Sequence, residues 1–549
     1  MIERIQDEDL AKADLKDQER LEAERQPWDS TYQEIDYRFP HGAGGFSKTS
    51  QGSIRGKRNF DATHITANER FAAAGMAITT PEQTQYIMPF FLDEDLNKLP
   101  AVKEWRFRAG RRLQAIRHAS HTGFNLAVNE DWDQLGRYGT SAIWQESTAS
   151  GLVYRCLHLS ETWIDVDFAG RVNRVHRKFE RTAEQLAEQF GEENLSPKML
   201  DALREGGDKA KKFEILHVVC PNTRWDSERM DHDRFPIASR YLACDEKIYL
   251  RRKGFNTMPV SVSRHMTSAG EIYGRSPAFK VMPNINGVNA MKHTTLRAGH
   301  KAVDPALLFY DDYGATSLSS KPGGMNPGFV DESGRPMVHR MPGGENGIPY
   351  AIEMMQDEQA TIRTAFLEEF YATLTDPNSR MTTTEVLERI AKQGVLVRPF
   401  ASRYATEKQH PMTNRDFDLA MREGQIEDFP EEVKEAGAWP LFDYENPLAQ
   451  MARAENVQKS MRAIDALVPL ASISQDVADV VDVDAMARGT LEDIGVSPTY
   501  VRSPEAVAQL REGRKASESA ALNAELLNKA GGGIKSLAQA DAIANGGGA

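Results

Sequence analysis

One stretch limits the possible folds of this chain more than any other: a helix that runs into proline and glycine and then gives way to a second helix. Residues 271–311 read "EIYGRSPAFKVMPNINGVNAMKHTTLRAGHKAVDPALLFYD". Ser276-Pro277 is an N-cap and first-turn pair. Phe279, Met282, Ile285, Val288, Met291 and Leu296 follow at helical spacing. A kink is expected at Pro283, and a stop near Ala302, before Asp304-Pro305. The next segment holds "KPGGMNPG", "ESGRPM" and "MPGGENGIP", which exclude a helix and predict short strands and turns. Helix returns at about 353, with Met355, Ile362, Phe366, Phe370 and Leu374 in one stripe. Asp376-Pro377-Asn378-Ser379 ends it. "TTTE" at 382–385 then fits a capping box that opens the helix "VLERIAKQGVL". The order is helix, β-rich insertion, helix, short loop, capped helix.

The residues before 270 have two textures. Residues 3–37 read as a helix with Leu21, Trp28, Tyr32 and Ile35 on one face. "DATHITANERFAAAGMAI" predicts a second helix, stopped by Thr79-Thr80-Pro81. A third follows Pro100, carrying Val102, Trp105, Leu113 and Ile116, and is expected to continue toward Phe124. "NEDWDQLGRYGTSAIWQES" reads as a helix that ends at Gly136 or Gly139 and enters a strand. From 140 to 270 the chain breaks into short β-branched and aromatic runs: "SAIWQE", "GLVYRCLHL", "TWIDVDF", "VNRVHRKF", "FEILHVVC", "ASRYLAC" and "KIYLRRK". One helix, "TAEQLAEQFG", interrupts them. The fold class is therefore α+β and mainly helical, with a mostly helical C-terminal part from 444.

Composition narrows the function. A length of 549 residues implies several domains or one large elaborated one, and an apolar fraction of 40% suffices for real cores. The formal net charge of −13 argues against wrapping nucleic acid by bulk attraction. Cys156, Cys220 and Cys244 are sparse and far apart, which argues against a disulfide scaffold or a zinc ribbon. The opening "MIERIQDEDL" is charged and unlike a secretory leader, and no apolar run is long enough to span a bilayer. The expected compartment is cytoplasmic, or a particle assembled in a cytoplasm.

Searches for catalytic chemistry return weak patterns. "GGFSKT" has Ser47 where a phosphate loop needs Gly, and "GSIRGKRN" has Arg58 after Gly56-Lys57. His118 and His121 sit three apart on a predicted helix, but no third metal ligand is in view, so a solvated pair is the simpler reading. "DVDF" (165–168) and "DVVDVDAM" (479–486) are carboxylate-rich, as surface and turn acids often are. "RVHRKFER" (174–181) and "YLRRKG" (249–254) could meet phosphate, but solvated strand edges or salt bridges to a neighbouring subunit explain them more simply. No Ser/His/Asp motif or H-E-x-x-H is present.

Several phrases in order carry a resemblance: "FDATHITANERFAAAGMAITTP", "NEDWDQLGRYGTSAIW", "IYGRSPAFKVMPNINGVN", "MTTTEVLER", "NPLAQMARAENVQ" and "DVDAMARGTLEDIGVSPTYVRSPEAVAQLREGR". Together they resemble the podovirus-type phage portal, or head-to-tail connector, protein family from about 25 to 515. Asn446 and Thr383 depart from it, standing where the family often has Ser and Ala.

The resemblance implies a portal fold with wing, stem, clip and crown regions. Residues 1–270 would be N-terminal helices and α+β wing, 271–303 the first stem helix, 304–352 the clip and 353–375 the second stem helix. Residues 376–382 would be the tunnel loop, 383–510 a long helix with wing and crown, and 511–549 a C-terminal tail. It implies a ring of about twelve copies, at one capsid vertex of the virion, that passes double-stranded DNA for packaging, retention and ejection. The implied DNA-channel residues are Asp376, Pro377, Asn378, Ser379, Arg380, Met381 and Thr382. The implied partner-binding clip residues are Lys321, Pro322, Gly323, Gly324, Met325, Asn326, Arg335 and Arg340. The implied partners are the terminase large subunit, tail adaptor proteins, and capsid and scaffolding proteins, with no membrane. No catalytic residue, metal or cofactor is expected. The alternatives are a DNA-processing enzyme, such as a nuclease or packaging ATPase, and another phage structural adaptor.

Overall fold

The computed structural model describes residues 7–40, 45–46, 56–148, 151–204, 206–309, 319, 321, 323, 325, 329–341, 347–368 and 399–444, and, beyond these, 457, 461–463, 482–494, 496, 500–502 and 506–519. The elements used below are, in chain order, α1 (Glu8–Arg38), α2 (Thr63–Thr79), β1 (Ile87–Phe90), α3 (Glu94–Lys98), α4 (Pro100–Arg117), α5 (Phe124–Tyr138), β2 (Thr140–Thr148), β3 (Gly151–Leu157), β4 (Thr162–Val166), β5 (Val172–Thr182), α6 (Ala183–Phe190), α7 (Pro197–Leu203), β6 (Lys212–Pro221), β7 (Ile237–Ala243), β8 (Ile248–Phe255), β9 (Val260–Arg264), α8 (Pro277–Val303), β10 (Leu307–Phe309), β11 (Val338–Arg340), α9 (Ile348–Ala365) and α10 (His410–Arg422). The mixed helix and sheet content agrees with the sequence reading. Contacts divide the chain into two compact units.

Among its described residues the first unit, residues 1–88, 110–427 and 442–448, holds two larger antiparallel sheets besides the two-stranded pair β10-β11. One is a five-stranded meander in the order β4-β5-β6-β7-β8. Alternation along β6 explains how both its faces become buried. Phe213 and Ile215 join Phe179, Leu186, Phe190 and Tyr241 in the core beneath α6 and α7. Leu216, Val218 and Cys220 point the other way and meet Ala11 of α1. Thr182 and Gln185 form a capping box at the start of α6. The second sheet is β3-β2-β9, with Ile143 of β2 opposite both Cys156 and Ser261.

The basic strands find their partners inside the chain. Arg174 pairs with Asp17, and Lys178 lies 3.4 Å from both Glu22 and Glu214. Arg177 pairs with Glu161 at 2.9 Å, while Arg251 and Lys253 lie 4.0 and 3.7 Å from Glu146. Asp17 and Glu22 of α1 lie along the sheet, and Glu146, Glu161 and Glu214 supply the remaining acids.

Two helix boundaries differ from the sequence reading. The helix after Pro100 stops at Arg117 instead of continuing to Phe124. Gly123, at φ 67°, turns the chain into a separate helix, α5. His118 therefore lies just past the helix end. Its ring meets Asn125 Oδ1 at 2.8 Å and Tyr86 OH at 3.3 Å, and no metal cluster forms among the described residues. The helix expected to return at about 353 begins at Ile348, because Pro349 fits its first turn. It ends at Ala365, and Leu367 follows at φ 57°. Phe370 and Leu374 lie outside the described residues.

The second unit comprises residues 89–109, 428–441 and 449–549. A chain of rings, Phe91–Trp105–Phe429–Trp439, runs through it with centroids 5.1–6.0 Å apart. Here Asp482 caps the helix Val483–Ile494 by accepting from Ala485 N at 2.9 Å, and Asp484 pairs with Arg511 at 2.5 Å.

Candidate functional site

The hairpin of α8 and α9 is built outward from the Tyr-Gly-Arg-Ser-Pro turn. Ser276 Oγ accepts from Phe279 N at 2.9 Å and donates to Arg137 O at 2.7 Å, so one hydroxyl caps α8 and ties it to the end of α5. Gly274 N donates to Thr140 Oγ1 at 2.8 Å, and Arg275 N donates to Met266 O at 2.6 Å. Glycine is required at two positions here. Gly139 caps α5 at φ 77°, and a Cβ on Gly274 would lie 2.2 Å from Gly139 O. Tyr273 is buried, and its hydroxyl accepts from Ile164 N at 3.3 Å. Trp28, Tyr32 and Tyr273 surround Phe279 and the turn.

The first half of α8 is buried through Ala278, Val281, Met282, Ile285 and Val288. Three asparagines in "PNINGVN" bind it to its surroundings. Asn284 donates to Glu358 Oε2 of α9 at 2.5 Å. Asn286 accepts from Arg38 Nε at 2.8 Å and donates to Glu34 Oε1 at 2.6 Å. Asn289 accepts from Phe60 N at 2.7 Å and donates to Arg58 O at 2.9 Å. "GSIRGKRN" thus serves as a packing loop against α8 where it is described, from Gly56 on, rather than as a phosphate loop. Lys48 and Thr49 lie outside the described residues. The helix continues through Pro283.

The second half of α8 emerges from this packing. Leu296 and Val303 are exposed, and with Ile348, Ile352 and Met355 of α9 they line an open groove of about 760 Å³. Beyond it, β10 and β11 pair antiparallel, with Leu307 opposite Arg340 and Phe309 opposite Val338. Asp331 closes a tight turn by accepting from Ser333 N and Arg335 N. The described part of the Pro/Gly segment is thus short strands and turns, as read from its composition. Lys321, Gly323, Met325, Arg335 and Arg340 are all exposed there. Pro322, Gly324 and Asn326 lie outside the described residues, as do 376–382 and the predicted capping box at 382–385.

A third element carries charges that the sequence reading missed. The helix containing residues 399–422 widens into a π turn at Ala405–Gln409 and continues as α10. Pro411 gives the physical reason. It has no N–H to donate to Glu407 O, and the His410 N–H reaches back to Ala405 O. Three consecutive side chains of the turn then meet four elements, β9, α5, β2 and α2. Glu407 receives Arg264 N at 2.9 Å and Nη2 at 2.7 Å. Lys408, fully buried, lies 2.6 Å from Asp131 Oδ1 and donates to Ser261 O at 2.7 Å and Ser141 O at 3.3 Å. Gln409 donates to Thr79 O at 2.7 Å. Two turns on, Asp416 accepts from Arg117 Nη2 at 2.7 Å and Gln145 Nε2 at 2.8 Å, and Arg117 also donates to Thr413 Oγ1. Burial, reinforced by the nearby Asp131 carboxylate, pushes the Tyr404 phenol well above its ordinary range. Burial, with Arg403 nearby, lowers His265 to about 4. Pro411 was the visible signal for this element.

The arrangement is a mechanical one: a hairpin held rigidly at one end, and a long helix locked to the β2/β9 sheet by buried charges. The family described as bacteriophage head to tail connecting protein matches residues 12–501. The chain is 27% identical over 532 residues to a probable portal protein of Bordetella phage BPP-1, covering 93% of this chain and 92% of that one. It is 24% identical over 549 residues to a portal protein of Salmonella phage epsilon15, covering 96% and 95%. A solved neck of an empty GTA particle, computed with C6 symmetry, is 11% identical at a TM-score of 0.37, covering 74% of this chain and 87% of that chain. A likeness that weak carries no weight. The chain belongs to the bacteriophage head to tail connecting protein family, and it is a portal component of the phage particle.

Proposed function

We propose that this chain assembles as a ring of about twelve copies whose central channel passes double-stranded DNA during packaging and ejection. The observation that carries this reading is the family match over 12–501, which spans the anchored hairpin and the helix that follows it. In this reading α8 and α9 are the stem, and residues 304–352 are the clip, although α9 already begins at Ile348. The clip receives the terminase large subunit during packaging and tail adaptors afterwards. Lys321, Met325, Arg335 and Arg340 are exposed, as such docking requires. The five-stranded sheet with α1, α6 and α7 is wing, and the part after 430 continues into wing and crown. Capsid and scaffolding proteins surround the ring, which assembles in the host cytoplasm. The protein acts without catalysis, and Asp482 and Asp484 serve as a helix cap and an ion-pair partner.

Charge suits this role. Twelve chains at −13 each carry on the order of −150 formal charges, which disfavours tight adhesion of a polyanion and lets it slide. Residues 376–382 are assigned to the channel wall, with Arg380 touching phosphates transiently. Arg380→Glu is expected to leave ring assembly unchanged and to alter DNA packaging or retention, because like charge at a constriction raises the repulsion on the duplex. The measurement is the DNA content of particles carrying the variant. Full genomes packaged and retained as in the unaltered phage, at low and moderate salt alike, would remove this assignment.

A further inference from the structure

The two helices of the hairpin carry opposite charge on their outward faces. Helix α8 contains Lys280, Lys292, Arg297 and Lys301 and has no Asp or Glu between 277 and 303, in a chain whose net charge is −13. Arg297 and Lys301, both exposed, stand four residues apart and so on one face, turned away from the buried Ile285 and Val288. Like charges at that spacing are mutually unfavourable within a helix. On α9, Glu353 and Asp357 are likewise exposed and four apart, on the side opposite the buried Met355 and Ile362. No ion pair joins any of these four side chains to a described residue.

The pairs cannot neutralise each other within one hairpin. The Asn284–Glu358 hydrogen bond sets the register of the two helices. In that register Glu353 lies level with the buried Asn289 region, about two helical turns or roughly 12 Å from Arg297. Each hairpin therefore presents one uncompensated basic pair and one uncompensated acidic pair, displaced along its axis. A second copy, its hairpin tilted across the first, brings the basic pair of one opposite the acidic pair of the next. Two complementary patches on one chain make a heterologous interface, the kind that repeats head to tail and forms a ring when the rotation between copies closes.

We propose that Arg297 and Lys301 of α8 dock on Glu353 and Asp357 of α9 in a second copy of this chain, setting the direction and register of assembly. This rests on the ring reading and deepens it by naming the surface. The apolar rim beside it, with Leu296, Ile352 and Tyr350 exposed, supplies area that charge alone does not. The ion pairs supply specificity, since a wrongly paired neighbour meets like charge.

The test uses the full-length chain in two charge-reversed forms, Arg297→Glu/Lys301→Glu and Glu353→Arg/Asp357→Arg. Assembly is read by sedimentation velocity and native mass spectrometry, and folding by thermal melting. Each form alone is expected to raise the concentration at which rings assemble by at least about tenfold. Mixed one to one, they are expected to assemble again, because every interface in an alternating ring then joins opposite charges. Rescue on mixing requires an intermolecular contact, so a folding defect cannot imitate it. Reversed forms that each assemble like the unaltered protein would overturn the proposal while leaving the ring intact. Reversed forms that assemble normally but change DNA retention would assign the basic pair to DNA and overturn it equally. An unaltered chain that forms no ring would overturn the ring reading itself.

Discussion

Lys408→Met is expected to destabilise the protein by about 3–5 kcal/mol, the usual effect of removing one partner from a buried ion pair. Lys408 and Asp131 are both fully buried, 2.6 Å apart. The ammonium also holds the main-chain oxygens of Ser141 and Ser261, which belong to paired strands β2 and β9. Methionine preserves the stem volume but leaves the Asp131 carboxylate without its counter-charge. The second change, Asp131→Leu in the Lys408→Met background, is expected to recover most of the loss, because both charges are then gone. Urea unfolding followed by tryptophan fluorescence measures both, since Trp132 lies beside Tyr404 at a 4.6 Å ring separation. A loss below about 1 kcal/mol for Lys408→Met would place the pair in the weak, solvent-screened class and contradict the lock.

Gly274→Val is expected to cost at least about 1–3 kcal/mol and to loosen the start of α8. A Cβ there would meet Gly139 O at 2.2 Å, and that carbonyl is fixed because it accepts from His265 N at 2.8 Å. Neither backbone can retreat without breaking the hydrogen bonds of Thr140 or Met266. Gly299→Ala provides the control. A Cβ at Gly299 meets nothing within 4 Å, so within α8, one turn before its end at Val303, it is expected to stabilise by up to about 0.5–1 kcal/mol. Hydrogen exchange over residues 272–282 separates the two: faster in the Gly274 variant and unchanged in the Gly299 variant. Slow exchange in both would mean that the glycine contact does not anchor the helix.

These two sites mark where sequence reading succeeds and where it stops. Ser276-Pro277 announced the start of α8 because a cap and a first-turn proline act within four residues. The strands at 140–255 were legible because alternation and β-branched runs are local too. β9 was not, since "VSVSR" is short and serine-rich and becomes a strand through burial beside β2. The glycine of the Tyr-Gly-Arg-Ser-Pro turn was visible, but its reason, a backbone 135 residues earlier in the chain, was not. The basic strands suggested surface or interface roles because most of their partners are distant in sequence, Asp17 and Glu22 on α1 for Arg174 and Lys178, and Glu146 on β2 for Arg251 and Lys253. The charges of the π turn were harder still. Lys408 reads as an ordinary helix surface residue until Pro411 widens the turn and Asp131 comes to meet it. The channel and clip residues rest on resemblance, since their roles depend on neighbours that one chain does not contain.

Imaging the purified protein by electron microscopy, with particle mass measured in parallel, tests the central claim most directly. Closed rings of about twelve chains around an open channel are expected, each near twelve times the 61.4 kDa of one chain. Monomers, dimers or open filaments at micromolar concentration and moderate salt would contradict it.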